Sequence, residues 1–161
     1  MTEKKEINAG KYLIKTTNPA TKVDYYLACQ DYYKTDVDVN NSAKVMCLSK
    51  DQEGKHWKIG KKEGLYEFKY DEDKYDMNNF SLFVNNENNN SVNIGRQLGS
   101  GFFLEREGES NLFKIKDLLT GMYLSCTFED KSQQRDNFSF YIQGLKETST
   151  TWEFISCPMN N

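Results

Sequence analysis

The sequence has very few of the residues that catalytic and metal sites usually require. Its 161 residues include a single histidine, His56, so a histidine-rich metal centre is excluded by count. The acidic run Asp71-Glu72-Asp73 is interrupted by Lys74 and lacks the glycine that supports a calcium-binding loop. No glycine-rich phosphate loop opens a helix. The sequence therefore predicts a protein that is not an enzyme, with no catalytic residue, no metal and no cofactor.

Cysteine pairs at close spacing are also lacking. None of the four cysteines shows the C-x-x-C spacing of zinc or redox sites. Cys29, Cys47 and Cys126 lie in short apolar runs, and the fourth cysteine is Cys157. A reduced cysteine in such a run behaves as a small buried hydrophobe. We therefore expect free thiols in the core rather than a disulfide framework or a metal site.

Long apolar runs and a basic block are absent as well. No stretch approaches the roughly 18 apolar residues that span a bilayer, and no apolar signal region follows the charged first residues. The net charge is -3, and basic and acidic residues alternate along the chain. Binding to nucleic acid by charge attraction needs a basic face. The sequence thus predicts a cytoplasmic protein without a membrane span and without a nucleic-acid partner.

Short strands led by aromatic residues are what the sequence has instead. They recur between turns rich in Asn, Asp, Gly and Ser, and no window shows a helical period. The pattern aromatic-x-Ile/Phe-Lys occurs three times, beginning at Tyr12, Tyr66 and Phe113. Three further strands follow each copy in the same order. Such a repeat predicts architecture better than any single strand does.

The repeated strands define equivalent positions in three sets. The second strands begin at Tyr26, Phe80 and Tyr123, which makes Cys29 equivalent to Cys126. The third strands are residues 45–48, 92–94 and 138–142. The fourth strands begin at Trp57, Phe102 and Trp152. Since apolar and polar residues alternate within each strand, the bulky first residues of strands one and four are expected to point into a shared core.

Twelve strands in three pseudo-symmetric four-strand units resemble the β-trefoil fold. One set of four short strands cannot bury its own apolar face, so three sets must share a core, and closing the sheet removes its exposed edges. The resemblance implies an all-β domain in which six strands form a barrel and six form hairpins that cap one end. We expect a single domain over residues 1–161, with repeats at about 10–62, 63–109 and 110–157.

Within this fold the chain resembles the ricin-B-type lectins. The tryptophan of their Gln-x-Trp motif is present as Trp57 and Trp152, but Lys55 and Thr150 replace the glutamine, and set two has Ser100 before Phe102. The resemblance implies a sugar site that joins an acidic residue after the second strand to an aromatic residue on the third strand. It predicts ligand-binding roles for Asp31, Asp130 and Tyr141, of which Asp130 with Tyr141 is the best pair.

Two other resemblances leave a protein partner open. The chain has no signal region and no complete Gln-x-Trp motif. In these features it is similar to the fascins and hisactophilins, which are intracellular trefoils that bind actin. The opening run of residues 10–14, followed by Thr17-Asn18-Pro19, is similar to the mycocypin protease inhibitors. Either function would use the polar loops at residues 31–42 and 85–90. The predicted function is therefore carbohydrate binding by a monomer or weak homo-oligomer, with an inhibitor or a cytoskeletal role as alternatives.

Overall fold

The protein is built from short antiparallel strands. The computed structural model describes residues 6–29, 42–49, 55–72, 79–86, 89–96 and 100–158, and within them lie fifteen strands and one 3-10 helix. Set one comprises β1 (Gly10–Thr17), β2 (Asp24–Ala28), β3 (Ser42–Lys44), β4 (Met46–Ser49) and β5 (His56–Lys62). Set two comprises β6 (Leu65–Tyr70), β7 (Ser81–Asn85), β8 (Ser91–Gly95) and β9 (Phe102–Arg106). Set three comprises β10 (Leu112–Asp117), β11 (Tyr123–Ser125), the 3-10 helix (Lys131–Gln133), β12 (Gln134–Asp136), β13 (Ser139–Tyr141), β14 (Gln143–Leu145) and β15 (Trp152–Ser156).

The first and last strands of the three sets form a closed ring of six, which is the barrel of the fold. β1 pairs with β5 and β15, β6 with β5 and β9, and β10 with β9 and β15, all antiparallel. In every set the first aromatic residue of the first strand lies opposite the first aromatic residue of the last strand. These pairs are Tyr12 with Trp57, Tyr66 with Phe102, and Phe113 with Trp152. The three sets are therefore related by a pseudo-threefold axis, as the sequence predicts.

The remaining strands form hairpins whose third strand is interrupted in two sets. β2 pairs with β4, β7 with β8, and β11 with β14. The sequence predicts one third strand per set, but in sets one and three it is broken at Val45 and Ile142. The break has a physical reason, because the two halves pair with different sets: β3 and β14 both pair with β8, whereas β13 pairs with β4. β12, which pairs with β13, was not predicted.

Three backbone hydrogen bonds join the sets where the third strands meet. The N–H of Val45 donates to the carbonyl of Val92 at 2.8 Å, that of Val92 to Ile142 at 3.3 Å, and that of Ile142 to Val45 at 3.1 Å. All three side chains are buried. We call this cycle the axial ring. A buried backbone group needs a hydrogen-bond partner. At the breaks, Val45 and Ile142 find these partners in other sets, through the axial ring.

The closing strands supply the largest buried side chains of the core. Trp57, Phe102 and Trp152 are each 0% exposed, which confirms the core positions predicted from the repeat. The indole N–H of Trp57 donates to the carbonyl of Leu27, and that of Trp152 donates to the carbonyl of Leu124. Each tryptophan thus fills the core and also ties the fourth strand to the second, because a buried indole N–H requires an acceptor.

One predicted equivalence is wrong by a single residue. The lysine that ends the repeated pattern of the first strand pairs with Tyr26 in set one, with Ser81 in set two and with Tyr123 in set three. Ser81, rather than Phe80, is therefore equivalent to the two tyrosines. Phe80 and Leu82 are both buried, so the period-2 pattern alone did not settle which of these positions opens the strand. The equivalence of Cys29 and Cys126 follows from the same register and is confirmed.

Candidate functional site

The first candidate site is a cavity of about 400 Å³ beside the end of β11. It lies between that strand end, the loop that leads from β14 to β15, and the hairpin that β1 and β2 form in set one. We call it the threonine cavity, because eight of the fourteen described residues that line it are Ser or Thr. Its lining comprises residues 16–17, 125–129 and 147–151, with Pro19 and Leu145.

Hydrogen bonds between hydroxyls and backbone shape this cavity. Thr150, at the position of the lectin glutamine, accepts a hydrogen bond from the N–H of Cys126 at 3.0 Å. The hydroxyl of Ser125 donates to that of Thr148 at 2.8 Å, and Thr148 also accepts from the N–H of Thr150 at 3.0 Å. These bonds attach the loop before β15 to the end of β11. Thr150 therefore performs a structural role at the Gln-x-Trp position, despite the change of residue.

The hydroxyl of Thr127 is the one buried side-chain group without a hydrogen-bond partner among the described residues of the threonine cavity. Its Oγ1 is buried and has no hydrogen-bond partner among the described residues. Buried polar atoms nearly always have a partner, and leaving one without costs on the order of 1–3 kcal/mol. Thr127 is among the residues that line the cavity, so a molecule that occupies the cavity lies close to this hydroxyl.

The charge of the threonine cavity is negative. Glu129 and Glu147 line it and are exposed, and no Lys or Arg is among the described residues of its lining. Asp130, the predicted acidic ligand, does not line it. The carboxylate of Asp130 instead caps the 3-10 helix, with Oδ1 accepting from the N–H and the hydroxyl of Ser132. These hydrogen bonds lower the pKa of Asp130 below its ordinary value, because they stabilise the ionised form.

The second candidate site is a cavity of about 230 Å³ that lies on the axial ring. All three ring residues line it, and so does the residue that precedes each of them: Lys44, Ser91 and Tyr141. We call it the axial cavity. Its other lining residues are Asn89, Ser132, Gln133 and Gln143. The ammonium of Lys44 lies 5.1 Å from the centroid of the Tyr141 ring, within range of a cation–π interaction.

The predicted site residues are not assembled into one site. Tyr141 lines the axial cavity, and the turn capped by Asp130 contributes Ser132 and Gln133 to the same cavity. Asp130 itself lines neither cavity. Asp31 lies outside the described residues. The sequence reasoning did not identify Glu129, Thr127 or Lys44. The threonine-rich run at 148–151 was an available signal for the first cavity, whereas nothing in the sequence marked Lys44.

The remaining polar candidates have local structural partners. The side chain of His56, the single histidine, is 38% exposed. Its ring Nδ1 lies 2.7 Å from a carboxylate oxygen of Glu72, which also accepts from the His56 backbone N–H. Lys55, at the lectin glutamine position of set one, lies over the ring of Tyr26. Across the described part of the chain, no group of three or more His, Cys, Asp and Glu residues could hold a metal ion.

Comparisons with solved structures show an all-β protein with the β-trefoil fold of the ricin-B-like lectins. The Macrolepiota procera ricin B-like lectin, solved in complex with lactose, matches with a TM-score of 0.65 at 10% identity, covering 95% of this chain and 99% of that one. The Polyporus squamosus lectin, solved with a human-type influenza-binding epitope, matches with a TM-score of 0.64 at 15% identity. That match covers 93% of this chain and 50% of the lectin.

A salivary protein has the same fold and is not described as a lectin. It comes from Culex quinquefasciatus and belongs to the Cysteine and Tryptophan-Rich family. Its TM-score is 0.68 at 16% identity, and the match covers 94% of this chain and 96% of that one. No protein-family model and no curated protein matches the sequence. Among the described residues there is no helix long and apolar enough to cross a membrane.

Proposed function

We propose that the protein is a non-enzymatic carbohydrate-binding module and that the threonine cavity is its sugar site. The observation that carries this proposal is the buried hydroxyl of Thr127, which lacks a partner among the described residues and belongs to a cavity rich in Ser and Thr. Sugars present groups that both donate and accept hydrogen bonds, so a sugar hydroxyl can satisfy Thr127 in either direction. The glycan complexes of two proteins with this fold support the proposal at the level of the fold.

The remaining groups of the cavity suit a sugar better than a reacting substrate. The carboxylates of Glu129 and Glu147 are acceptors that can orient hydroxyls. The ring of Phe128, which also lines the cavity, provides apolar surface for the C–H face of a sugar. The volume of about 400 Å³ falls within the range of about 300–1,000 Å³ that is typical of small-molecule sites. None of the described lining residues is a histidine, the side chain that most often transfers protons in catalysis.

The position of this cavity agrees in part with the lectin resemblance, which implies an acidic ligand after the second strand; none of residues 138–142 of the predicted third strand lines it. It adjoins the end of the second strand and the loop that carries the Gln-x-Trp position. Glu129, one residue before Asp130, takes the role of the acidic ligand in this proposal, because the carboxylate of Asp130 caps the 3-10 helix. Direct sugar contacts by Asp130, Tyr141 and Asp31 stay predictions from the sequence.

Glycan-array binding followed by calorimetry tests this proposal. Glu129→Gln and Thr127→Val each remove one polar group from the cavity with little change in side-chain size. A single hydrogen bond contributes about 0.5–1.5 kcal/mol, so each variant should bind the selected glycan about 2- to 13-fold more weakly. Glu109→Gln is the matched control, since Glu109 is exposed and does not line the cavity.

Two results would contradict the proposal. The first is the absence of any glycan ligand on a broad array, which would favour a protein partner such as a protease or an actin filament. The second is a glycan that binds the wild type, the Glu129 variant and the Thr127 variant equally well, which would place the sugar site elsewhere. In that second case the function stands and only the site is wrong.

A further inference from the structure

We propose that the axial cavity is a second, separate binding site, which takes a small ligand that carries a carboxylate, sulfate or phosphate group. This inference does not depend on sugar binding in the threonine cavity. The two cavities have none of their described lining residues in common.

The floor of the axial cavity is held by hydrogen bonds between the sets, and its walls differ from set to set. The floor is the axial ring, in which the N–H groups of Val45, Val92 and Ile142 each donate to the next set. The three positions before the ring residues are equivalent by symmetry, yet they hold Lys44, Ser91 and Tyr141. The backbone thus supplies a symmetric platform, and the side chains give it an amine, a hydroxyl and a phenol ring.

The charge of the axial cavity favours an anion. Among the described residues that line it, Lys44 is the only charged one, and this lysine forms no ion pair with another described residue. Lys44 is half-buried, and its ammonium lies over the ring of Tyr141, which fixes the position of the charge. An ammonium that is partly withdrawn from water and lacks a carboxylate partner attracts a negative group.

Side-chain amides add donors that suit an oxyanion. The amides of Gln133 and Gln143 line the cavity, and neither makes a hydrogen bond to another described residue. Each amide has two N–H donors that an oxyanion can accept. The hydroxyl of Ser91 is already used, since it donates to the side-chain oxygen of Asn93 at 2.8 Å. The volume of about 230 Å³ lies below the usual range of about 300–1,000 Å³ for drug-sized ligands, which limits the ligand to about one sugar ring.

Nuclear magnetic resonance titration of the full chain tests the axial site. The probes are glucuronate, which is an acidic sugar, glucose as its neutral counterpart, and inorganic sulfate. We expect glucuronate, sulfate or both to shift the amide signals of Lys44, Val92 and Ile142, with dissociation constants of roughly millimolar order. Glucose should shift them much less. The shifts should weaken as sodium chloride is raised, because salt screens the attraction between the ammonium and the anion.

Matched variants isolate the contribution of the charge. Lys44→Met keeps the length of the side chain and should weaken the anion response at least fivefold. Lys116→Met is the control, because Lys116 also lies over a tyrosine ring, at 5.5 Å from the Tyr123 centroid, but does not line the cavity. Gln143→Leu, which removes donors without removing the charge, is a second test if the Lys44 variant folds poorly.

Each outcome of these titrations either supports or overturns the proposed anion site. A response to sulfate alone assigns the site to inorganic oxyanions, and a response to glucuronate alone assigns it to acidic sugars; both support the proposal. The proposal is overturned if neither anion shifts these signals, if glucose shifts them as strongly as glucuronate, or if Lys44→Met and Lys116→Met have equal effects. A failed glycan array with intact anion shifts would overturn only the sugar proposal for the threonine cavity.

Discussion

The two cavities differ in how they relate to the symmetry of the fold. The axial cavity lies where all three sets meet, and its floor is made of equivalent residues. The threonine cavity is built mostly from set three, with a contribution from the first hairpin of set one. In the part of the chain that the structure describes, the axial cavity has a lysine and no carboxylate, and the threonine cavity has two carboxylates and no lysine. A repeated backbone therefore carries distinct chemistry only where the side chains of the sets differ.

The largest effect is expected from a change that removes the scaffold common to both cavities. Trp57→Ala empties a fully buried aromatic position and also removes the indole bond to Leu27. Its free energy of unfolding should fall by about 3–5 kcal/mol. Chemical denaturation monitored by circular dichroism measures this change. A midpoint close to that of the wild type would mean that Trp57 does not hold the core together.

Charge variants should affect only their own cavity. Glu129→Gln should weaken glycan binding severalfold and leave the anion shifts of the axial cavity within about twofold of the wild type, and Lys44→Met should do the reverse. Effects at distant sites without common partners usually add within about 0.5 kcal/mol. Calorimetry and resonance titration on both single variants and the double variant test this independence. Equal loss of both responses in either single variant would mean that the cavities act as one site.

A smaller effect is expected at Thr127, where one substitution should maintain or raise stability but lower the affinity for sugar. In the absence of ligand its buried hydroxyl has no partner among the described residues, so Thr127→Val should leave stability unchanged or raise it by up to about 1 kcal/mol. The same variant should bind sugar more weakly. Thr120→Val is the contrasting control, since the hydroxyl of Thr120 donates to buried Asp117 at 2.7 Å and its loss should destabilise the protein. A Thr127 variant that is clearly less stable than the wild type would show that the hydroxyl has a structural role.

The smallest effect concerns the thiol at the wall of the threonine cavity. Cys126 lines that cavity, yet burial raises the pKa of its thiol far above the ordinary value, and the Cys47 sulfur 2.9 Å away acts in the same direction. Only the thiolate is reactive, so Cys126 should label very slowly at neutral pH, as should buried Cys29. Partly exposed Cys157 is the internal control and should label first.

Thiol titration without denaturant, followed by mass spectrometry of the labelled peptides, measures these rates. Rapid labelling of both Cys29 and Cys126 would contradict the prediction. So would an intact disulfide between any two cysteines, which would also count against the cytoplasmic location inferred from the sequence. That location stays a prediction.

The fold could be predicted because its determinants are local and repeated. Tyr12 and Trp57 lie in strands with clear alternation, so their burial and equivalence followed from the pattern. The breaks at Val45 and Ile142 could not be predicted, since both residues continue apolar runs and only partners from other sets interrupt the strands. The limits of the three repeats and the extent of a single domain over residues 1–161 remain predictions from the sequence.

The candidate sites were less predictable because they depend on which of two neighbours faces a cavity. Glu129 and Asp130 are both acidic, and the sequence favoured Asp130. The deciding contact is local, since Asp130 is followed two residues later by Ser132, which donates to it. An acidic residue two positions before a serine often caps a turn, so this spacing was an available signal. The position of Lys44 over Tyr141 depends on pairing between sets and had no such signal.

The axial ring also constrains when the protein can fold during its synthesis. The three hydrogen bonds of the ring can form together only when all three sets are present. If any one set is missing, one N–H and one carbonyl of the remaining two sets have no partner in the ring. During synthesis the cycle cannot close until Ile142, near the end of the third set, has left the ribosome. Since burying unpaired backbone groups is costly, the first two sets alone should not reach a native cap. The domain is therefore expected to gain its stability in one late, cooperative step.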